Sequence, residues 1–461
     1  MKERILQTLS NLRTYALKKE YEIDLFYHEE DSYLMRFANS AISLNTNEHL
    51  IRMEITAYAG KKRASCELIT GLNKIDEMKQ AIDKAAEMAQ HAQELSYEPT
   101  LAQYQVSFED ESAYDASLAS ISNEERLQYF NHAVQGLENE AMKLSGIFSC
   151  GTNIIAQINT RSEHAQYFKT SDAQVTVVLA HEKQKWEVIA EQSAQKKTDL
   201  DPTGLHKDLV FMIEHYQHDE PQQLPLGKYD IVFGPAATGD MVNYLSWIGF
   251  NGGSMKRGFS FLQEEQLGKK VLSEKFTLID NPTCLETFPF KRDYLGIPRN
   301  PFPIFQEGVF QGFTWYQDDA DEFGAKATGH TVHHQSLVLS GGDKEVRTIE
   351  ELVNMPREKD VLYIPFLHYF GLVNPSKGIL TASSRFGNLL LKQDGSVAIP
   401  YNVRLTQSLS DIFGDQVAWM SRETVPNNTS SSYGARNPTA IIVPKFVRVN
   451  DLEISHSNSS Y

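Results

Sequence analysis

His218-Asp219-Glu220-Pro221-Gln222-Gln223-Leu224-Pro225-Leu226-Gly227-Lys228 divides the chain. The stretch is polar and holds two prolines, each of which fixes φ and removes a backbone donor, so neither a helix nor a central strand runs through it. Before it, helix and strand signals alternate; after it, strand signals dominate. The expectation is an α+β protein. An α/β-alternating N-terminal domain (1–217) is followed by a linker (218–228) and a β-rich C-terminal domain (229–461).

Upstream of the linker, Ile5, Leu9, Leu12 and Ala16 recur at helical spacing. Tyr21, Ile23, Leu25 and Tyr27 then alternate, as do Ile51, Met53, Ile55 and Ala57, the mark of half-buried strands. A helix over 74–91 follows, with Asn73 as its cap and Ile75, Met78, Ile82, Ala85 and Ala89 as its stripe. Ser122 and Glu125 form a capping box for a second long helix carrying Leu127, Phe130, Val134, Leu137, Ala141 and Leu144. Short strands are expected at 153–159, 164–169, 174–180 and 185–190. Asp201-Pro202 opens the last helix before the linker.

Downstream, a strand at Tyr229–Phe233 meets Gly234-Pro235 and a helix near 238–249. Pro282 to Pro303 carries five prolines and reads as an irregular, ordered loop. Thr348 and Glu351 cap a short helix, and Asp394-Gly395 sits between two apolar runs as a hairpin turn.

The 461 residues exceed what one ordinary core accommodates. No apolar run approaches the ~20 residues that span a bilayer, and the start has no signal-peptide block. The three cysteines, Cys66, Cys150 and Cys284, are scattered and odd in number, which suits a reducing cytoplasm. A net charge of -16 repels phosphate, so nucleic acid is excluded as a partner. The best basic run, Lys61-Lys62-Arg63, reads as a hairpin tip.

Motifs for the commonest chemistries are missing: no phosphate-binding loop, no nucleophile elbow and no H-E-x-x-H. His181-Glu182 begins the last, but Lys185 stands where its second histidine belongs. His330, His333 and His334 form a candidate metal cluster, with Asp318, Asp319, Asp321 and Glu322 just upstream. On a helix His330 would share a face with both other histidines, although a third converging ligand is not visible. His215 and His218 form a weaker pair. Gly252-Gly253 and Ser430-Ser431-Ser432 are candidate peptide-binding loops, weighed against a helix terminus and a solvated connection respectively. Phe302, Phe305, Phe310, Phe313, Trp315 and Tyr316 are a candidate interface, weighed against core packing.

Three stretches together resemble the TldD/PmbA family. Arg36-Phe37-Ala38-Asn39-Ser40-Ala41-Ile42 is similar to its N-terminal signature. Ile231-Val232-Phe233-Gly234-Pro235, then Gly258-Phe259-Ser260-Phe261-Leu262, Gly268 and Leu278-Ile279-Asp280-Asn281-Pro282, resemble its central segment. Gly387-Asn388-Leu389 through Asp394-Gly395 to Val403 resembles its C-terminal hairpin. In the TldD type, the resemblance implies a H-E-x-x-x-H helix after the Gly-Pro strand and a C-terminal cysteine, which together hold a metal. The matching window here, Met241 to Phe250, has no histidine, glutamate or cysteine, and the last cysteine is Cys284. No catalytic residue carries over. The resemblance therefore implies a TldE/PmbA-like, metal-free subunit that processes unfolded peptides with a TldD-like partner, and the zinc is expected on that partner. Two alternatives stay open: a stand-alone homodimeric peptide-binding protein, and a metallohydrolase using His330, His333 and His334.

Overall fold

The computed structural model describes residues 1–217, 220–330, 335–430 and 435–458. Residues 22–194 build one sheet from β1 (Glu22–Ala38), β2 (Ala41–Ala59), β3 (Lys62–Thr70), β4 (Phe108–Asp110), β5 (Met142–Asn159), β6 (Gln166–His181) and β7 (Trp186–Ala194). The order is β3-β2-β1-β5-β6-β4, with β7 also paired to β6; every pairing is antiparallel except β4 with β6. β1 and β2 join through Asn39 and Ser40, both at positive φ (50° and 60°), as a tight hairpin turn requires.

Alternation gives this sheet two distinct faces. On one, Ile23, Leu25, Met53, Ile55 and Ala156 pack under the helices Lys2–Lys18 and Ile75–His91. Farther along the same face, Phe148, Val175, Val177 and Val188 pack under Asn123–Ala133 and Pro202–Tyr216. The other face, bearing Asp24, Phe26, His28, Glu30, Thr176, Glu187 and Glu191, turns toward the C-terminal half. Phe168 and Ile155 meet Phe290 there.

The C-terminal half forms a nine-stranded and a six-stranded sheet. Strand Gly227–Phe233 lies inside the larger one, parallel to Val361–Ile364 and antiparallel to Val447–Asn458. Their apolar residues form one continuous core that includes Ile231, Phe233, Leu278, Phe305 and Val443. The divider is strapped to this half: Gln222 N donates to Ile399 O (2.8 Å), and Leu224 N donates to Ser457 Oγ (3.1 Å). No described helix is long and apolar enough to cross a membrane.

Several local readings hold. Ser122 and Glu125 bond reciprocally as a capping box, Thr348 caps Ile349–Asn354, and Asp201 caps Pro202–Tyr216. Leu389–Leu391 pairs with Val397–Ala398 around Asp394-Gly395. Other readings need correction. The helix opened by Ser122 ends at Ala133; the chain turns at Gly136 (φ 74°), and Leu144 belongs to β5. The cap of Ile75–His91 is Lys74, not Asn73. β5 and β6 run continuously through Ser149–Asn153 and Thr170–Asp172, polar stretches that read as breaks but are buried.

Candidate functional site

The turn Gly234-Pro235 aims a helix, Pro235–Ile248, out of the strand Gly227–Phe233. Glycine is needed at 234 because a Cβ there would come within 2.9 Å of Pro365 Cα, and proline suits the first helical turn, where its missing N–H costs nothing. Ala237, Met241, Val242, Leu245 and Ile248 bury one face of the helix in the core. Gly239 lets the Asn427 side chain lie directly against the helix backbone. The opposite side carries Asp240, Tyr244 and Trp247. Tyr244 stacks on Phe370 with centroids 4.9 Å apart, and Trp247 is 47% exposed, so this wall is aromatic and open.

The second wall is the outward row of β7. Glu187 accepts from Arg385 Nε and Nη2 (3.1 and 3.0 Å), Glu191 accepts from Thr176 Oγ1 (3.0 Å), and Ser193 Oγ accepts from Asn428 Nδ2 (3.1 Å). Burial pushes the Asp240 carboxyl up to about 7. Burial also pushes Glu191 up to about 7, against the hydrogen bond from Thr176 and with a further contribution from Asp240. Glu191 is nonetheless reached by solvent. His368, beside Phe386 and Arg385, is held below its ordinary value by burial and by the guanidinium. Two carboxyls poised near neutrality beside aromatic rings can accept or donate hydrogen bonds with main-chain groups of a bound chain.

The histidine cluster does not have the expected form. The acidic helix Gln317–Phe323 ends at Gly324, and His330 lies beyond it in irregular chain; His333 and His334 lie outside the described residues. His330 is buried, its Nδ1 2.8 Å from Asp280 Oδ2 but off the line of a good hydrogen bond, and its ring lies against Phe302. Burial raises the Asp280 carboxyl, but Arg299 and His330 more than offset this and hold it below the usual range. The upstream acids are engaged as well. Asp318 takes a two-pronged bond from Arg63 (2.7 Å each), Asp319 and Glu322 pair with Arg257, and Asp321 accepts from Thr100. His215 Nδ1 donates to the Phe211 carbonyl (2.8 Å); His218 is outside the described residues.

Gly252 and Gly253 are buried in the short helix Gly252–Lys256, where added Cβ atoms would strike the Trp315 ring and the Asp319 carboxylate. Ser430 closes the connection between Thr424–Asn428 and Ala440–Pro444, accepting from Thr439 N (2.9 Å); Ser431 and Ser432 lie outside the described residues. The aromatic run is chiefly core: Phe305, Phe310 and Phe313 are buried against one another, and Tyr316 alone is well exposed, at 44%. The interface motive drawn from that run is therefore withdrawn.

Sequence reasoning missed Asp240 and Glu191. No local signal marks either, because each is a single acid in an otherwise ordinary element. The residues present do not fit zinc. The helix Pro235–Ile248 offers one carboxylate and no imidazole or thiol, and no group of three potential ligands occurs among the described residues.

Residues 226–456 match the family model of the PmbA/TldA metallopeptidase C-terminal domain. No curated protein matches the chain. In fold, the chain is similar to TldE from Thermococcus kodakarensis, with a TM-score of 0.82 over 97% of this chain and 100% of that one, at 16% identity. It is also similar to a Thermotoga maritima protein described as a candidate modulator of a DNA gyrase (TM-score 0.77, 15% identity, 97% and 99% covered). A Bacteroides thetaiotaomicron protein with the same description gives 0.75 at 15% identity, with 96% and 98% covered.

Proposed function

Because the chain belongs to the TldD/PmbA/TldE family of peptidase-related proteins, we propose that it acts as a metal-free, TldE-like subunit in the processing of unfolded peptides. The observation that carries this reading is the helix Pro235–Ile248. It stands where the TldD type would present its metal ligands and offers Asp240 and an aromatic wall instead. Such a helix can hold a peptide but cannot activate water through a metal. A TldD-like partner supplies the zinc and the hydrolytic step. At neutral pH the half-buried Asp240 spends part of its time protonated, so this wall presents both a donor and an acceptor to a peptide backbone.

The test is to purify the chain alone and together with a TldD-like chain, then measure zinc and cleavage of an unfolded peptide in each preparation. Alone, the chain is expected to hold substoichiometric zinc and to cleave nothing above background; together, the two chains co-elute and cleave in a chelator-sensitive way. Stoichiometric zinc in the lone chain, lost in a His330→Ala/His333→Ala variant, would overturn the reading in favour of the histidine cluster.

A further inference from the structure

β1 and β2 pair along their whole length, from Glu22↔Tyr58 to Ala38↔Ala41, but β3 covers only Ile51–Ala59 of β2. The remaining outer edge of β2, residues 41–50, has no backbone partner among the described residues. In an antiparallel ribbon alternate residues point N–H and C=O away from the partner, so about half of this stretch offers both groups outward. Proteins ordinarily blunt such edges with lysine, proline or a bulge. Ile42-Ser43-Leu44-Asn45-Thr46-Asn47 has no lysine or proline, and its one bulge is at the hairpin tip, where Ser43 is the extra residue opposite Arg36 and Phe37, so Leu44–Leu50 runs in regular register. By contrast, the edge strand Phe366–Asn374 of the nine-stranded sheet carries two register shifts and puts Tyr369 at φ 53°.

The open edge ends at a recess. Where β3 stops, the chain swings away through Gly71 and Leu72, and a hollow of about 300 Å³ opens among Met1, Arg4, Glu29, His49, Thr70 and Leu72. Its floor is polar and built. The buried Glu29 carboxylate accepts from the Tyr27 hydroxyl (2.6 Å) and lies 3.5 Å from His49 Nε2, while His49 Nδ1 reaches Asp31 at 2.7 Å. Thr70 Oγ1 is buried there without a partner. Glu29 and Arg4 both line the recess, so no strong net charge selects the occupant.

We propose that residues 44–50 of β2 hold an extended, unfolded polypeptide as an added antiparallel strand that continues the line of β3, with its amino end at the recess and its far end stopped by the bulge at Ser43. This rests on the peptide-processing reading and adds the place where the substrate chain is held. The direction follows from β3, which runs toward Thr70 as β2 runs away from Ile51. The edge is ~23 Å long and one strand wide, which gives roughly 600 Å² of buried surface at most. Two folded chains need about 1,200–2,000 Å² for a stable pair, so the edge suits a peptide better than a second copy of this chain. Uncharged side chains from Ala41 to Asn47 leave the affinity to main-chain hydrogen bonds and the selection by sequence weak.

The full chain is titrated against a fluorescent Ala/Ser/Thr peptide of about ten residues, unmodified or N-methylated at its odd or its even positions. The unmodified peptide is expected to bind, with slowed amide exchange in residues 44–50, and one methylated series is expected to lose affinity by about tenfold or more, as for one or two hydrogen bonds. Asn45→Pro and Thr46→Pro are compared in parallel. One removes an N–H that faces β1, the other an N–H that faces outward; the variant that keeps the parent melting temperature should lose the peptide. Undiminished binding by that stable variant would overturn the proposal and leave the wall that carries Asp240 as the holding place, with the subunit reading intact. Conversion of a dimer to a monomer by the same variant would assign the edge to a second copy. Failure of every peptide to bind would overturn this proposal, while the peptide-processing reading would still stand or fall on cleavage by the co-purified pair.

Discussion

Asp240 is one carboxylate on an otherwise apolar helix, and its charge state is decided by what surrounds it. Folding holds its carboxyl up at about 7, whereas an unfolded aspartate titrates near ~3.9. The folded state therefore binds the proton more tightly. The stabilisation is complete below pH ~4 and is lost progressively as the pH climbs toward about 7. Asp240→Asn should match the parent in urea unfolding at pH 3.5 and exceed it by about 1–2 kcal/mol at pH 8, a figure discounted for partial exposure. A variant that gains nothing at pH 8 would mean that water solvates the ionised carboxylate fully. Nothing near Asp240 in sequence signals this. Burial by elements remote in sequence raises it, and its charge in turn helps to raise Glu191 of β7.

At the scale of elements, the short helix Gly252–Lys256 shows how two elements fit. Gly253 brings its backbone against Asp319 of Gln317–Phe323, and Arg257, just past the helix end, pairs with the same carboxylate (2.7 Å) and with Glu322. Gly253→Ala would drive a methyl into Asp319, so the carboxylate must leave Arg257 or the helices must separate. A loss of about 1–3 kcal/mol is expected, read as a lower melting temperature, whereas Lys256→Ala on the exposed side should change little. An unchanged melting temperature for Gly253→Ala would show that the two helices slide apart freely. Caps and hairpin turns were legible because their chemistry lies within a few residues: Ser122 with Glu125, Thr348 with Glu351, Asp394 with Gly395. The lengths of β5 and β6 were not, because polar residues that interrupt their alternation find partners far along the chain: Ser149 and Asp172 bond a distant arginine, and Ser171 bonds Asp115.

That arginine belongs to the whole molecule. Arg436, from the C-terminal half, lies buried on the N-terminal sheet; its Nε and Nη2 donate to Asp172 (2.8 Å each), and its Nη1 donates to Ser149 Oγ (3.2 Å). Its backbone N–H donates to Glu30, and its carbonyl meets His28 Nε2 at 3.1 Å. Burial raises the Asp172 carboxyl even with the guanidinium beside it. Arg436→Ala would leave that acid buried and uncompensated, at a cost of about 3–5 kcal/mol in urea unfolding, while Arg436→Met with Asp172→Leu should recover most of it. If the single variant were no less stable than the double, the two halves would not depend on this contact. Arg63 with Asp318 and Lys291 with Ser112 join the halves at other points.

The sequence by itself determined several caps and turns, among them Ser122 with Glu125, Thr348 with Glu351 and Asp394 with Gly395, and that the helix after Gly234-Pro235 carries no histidine, glutamate or cysteine. These depend on neighbours two to four positions apart, where periodicity and capping act. Only the tertiary structure decided that the aromatic run Phe305, Phe310 and Phe313 is core, that His330 is buried beside Asp280, that Asp240 and Glu191 act on each other, and that the outer edge of β2 stays open. Each of these depends on where remote elements pack. Glu30 and Arg436 meet across 406 positions of chain, and no local pattern encodes a contact at that separation.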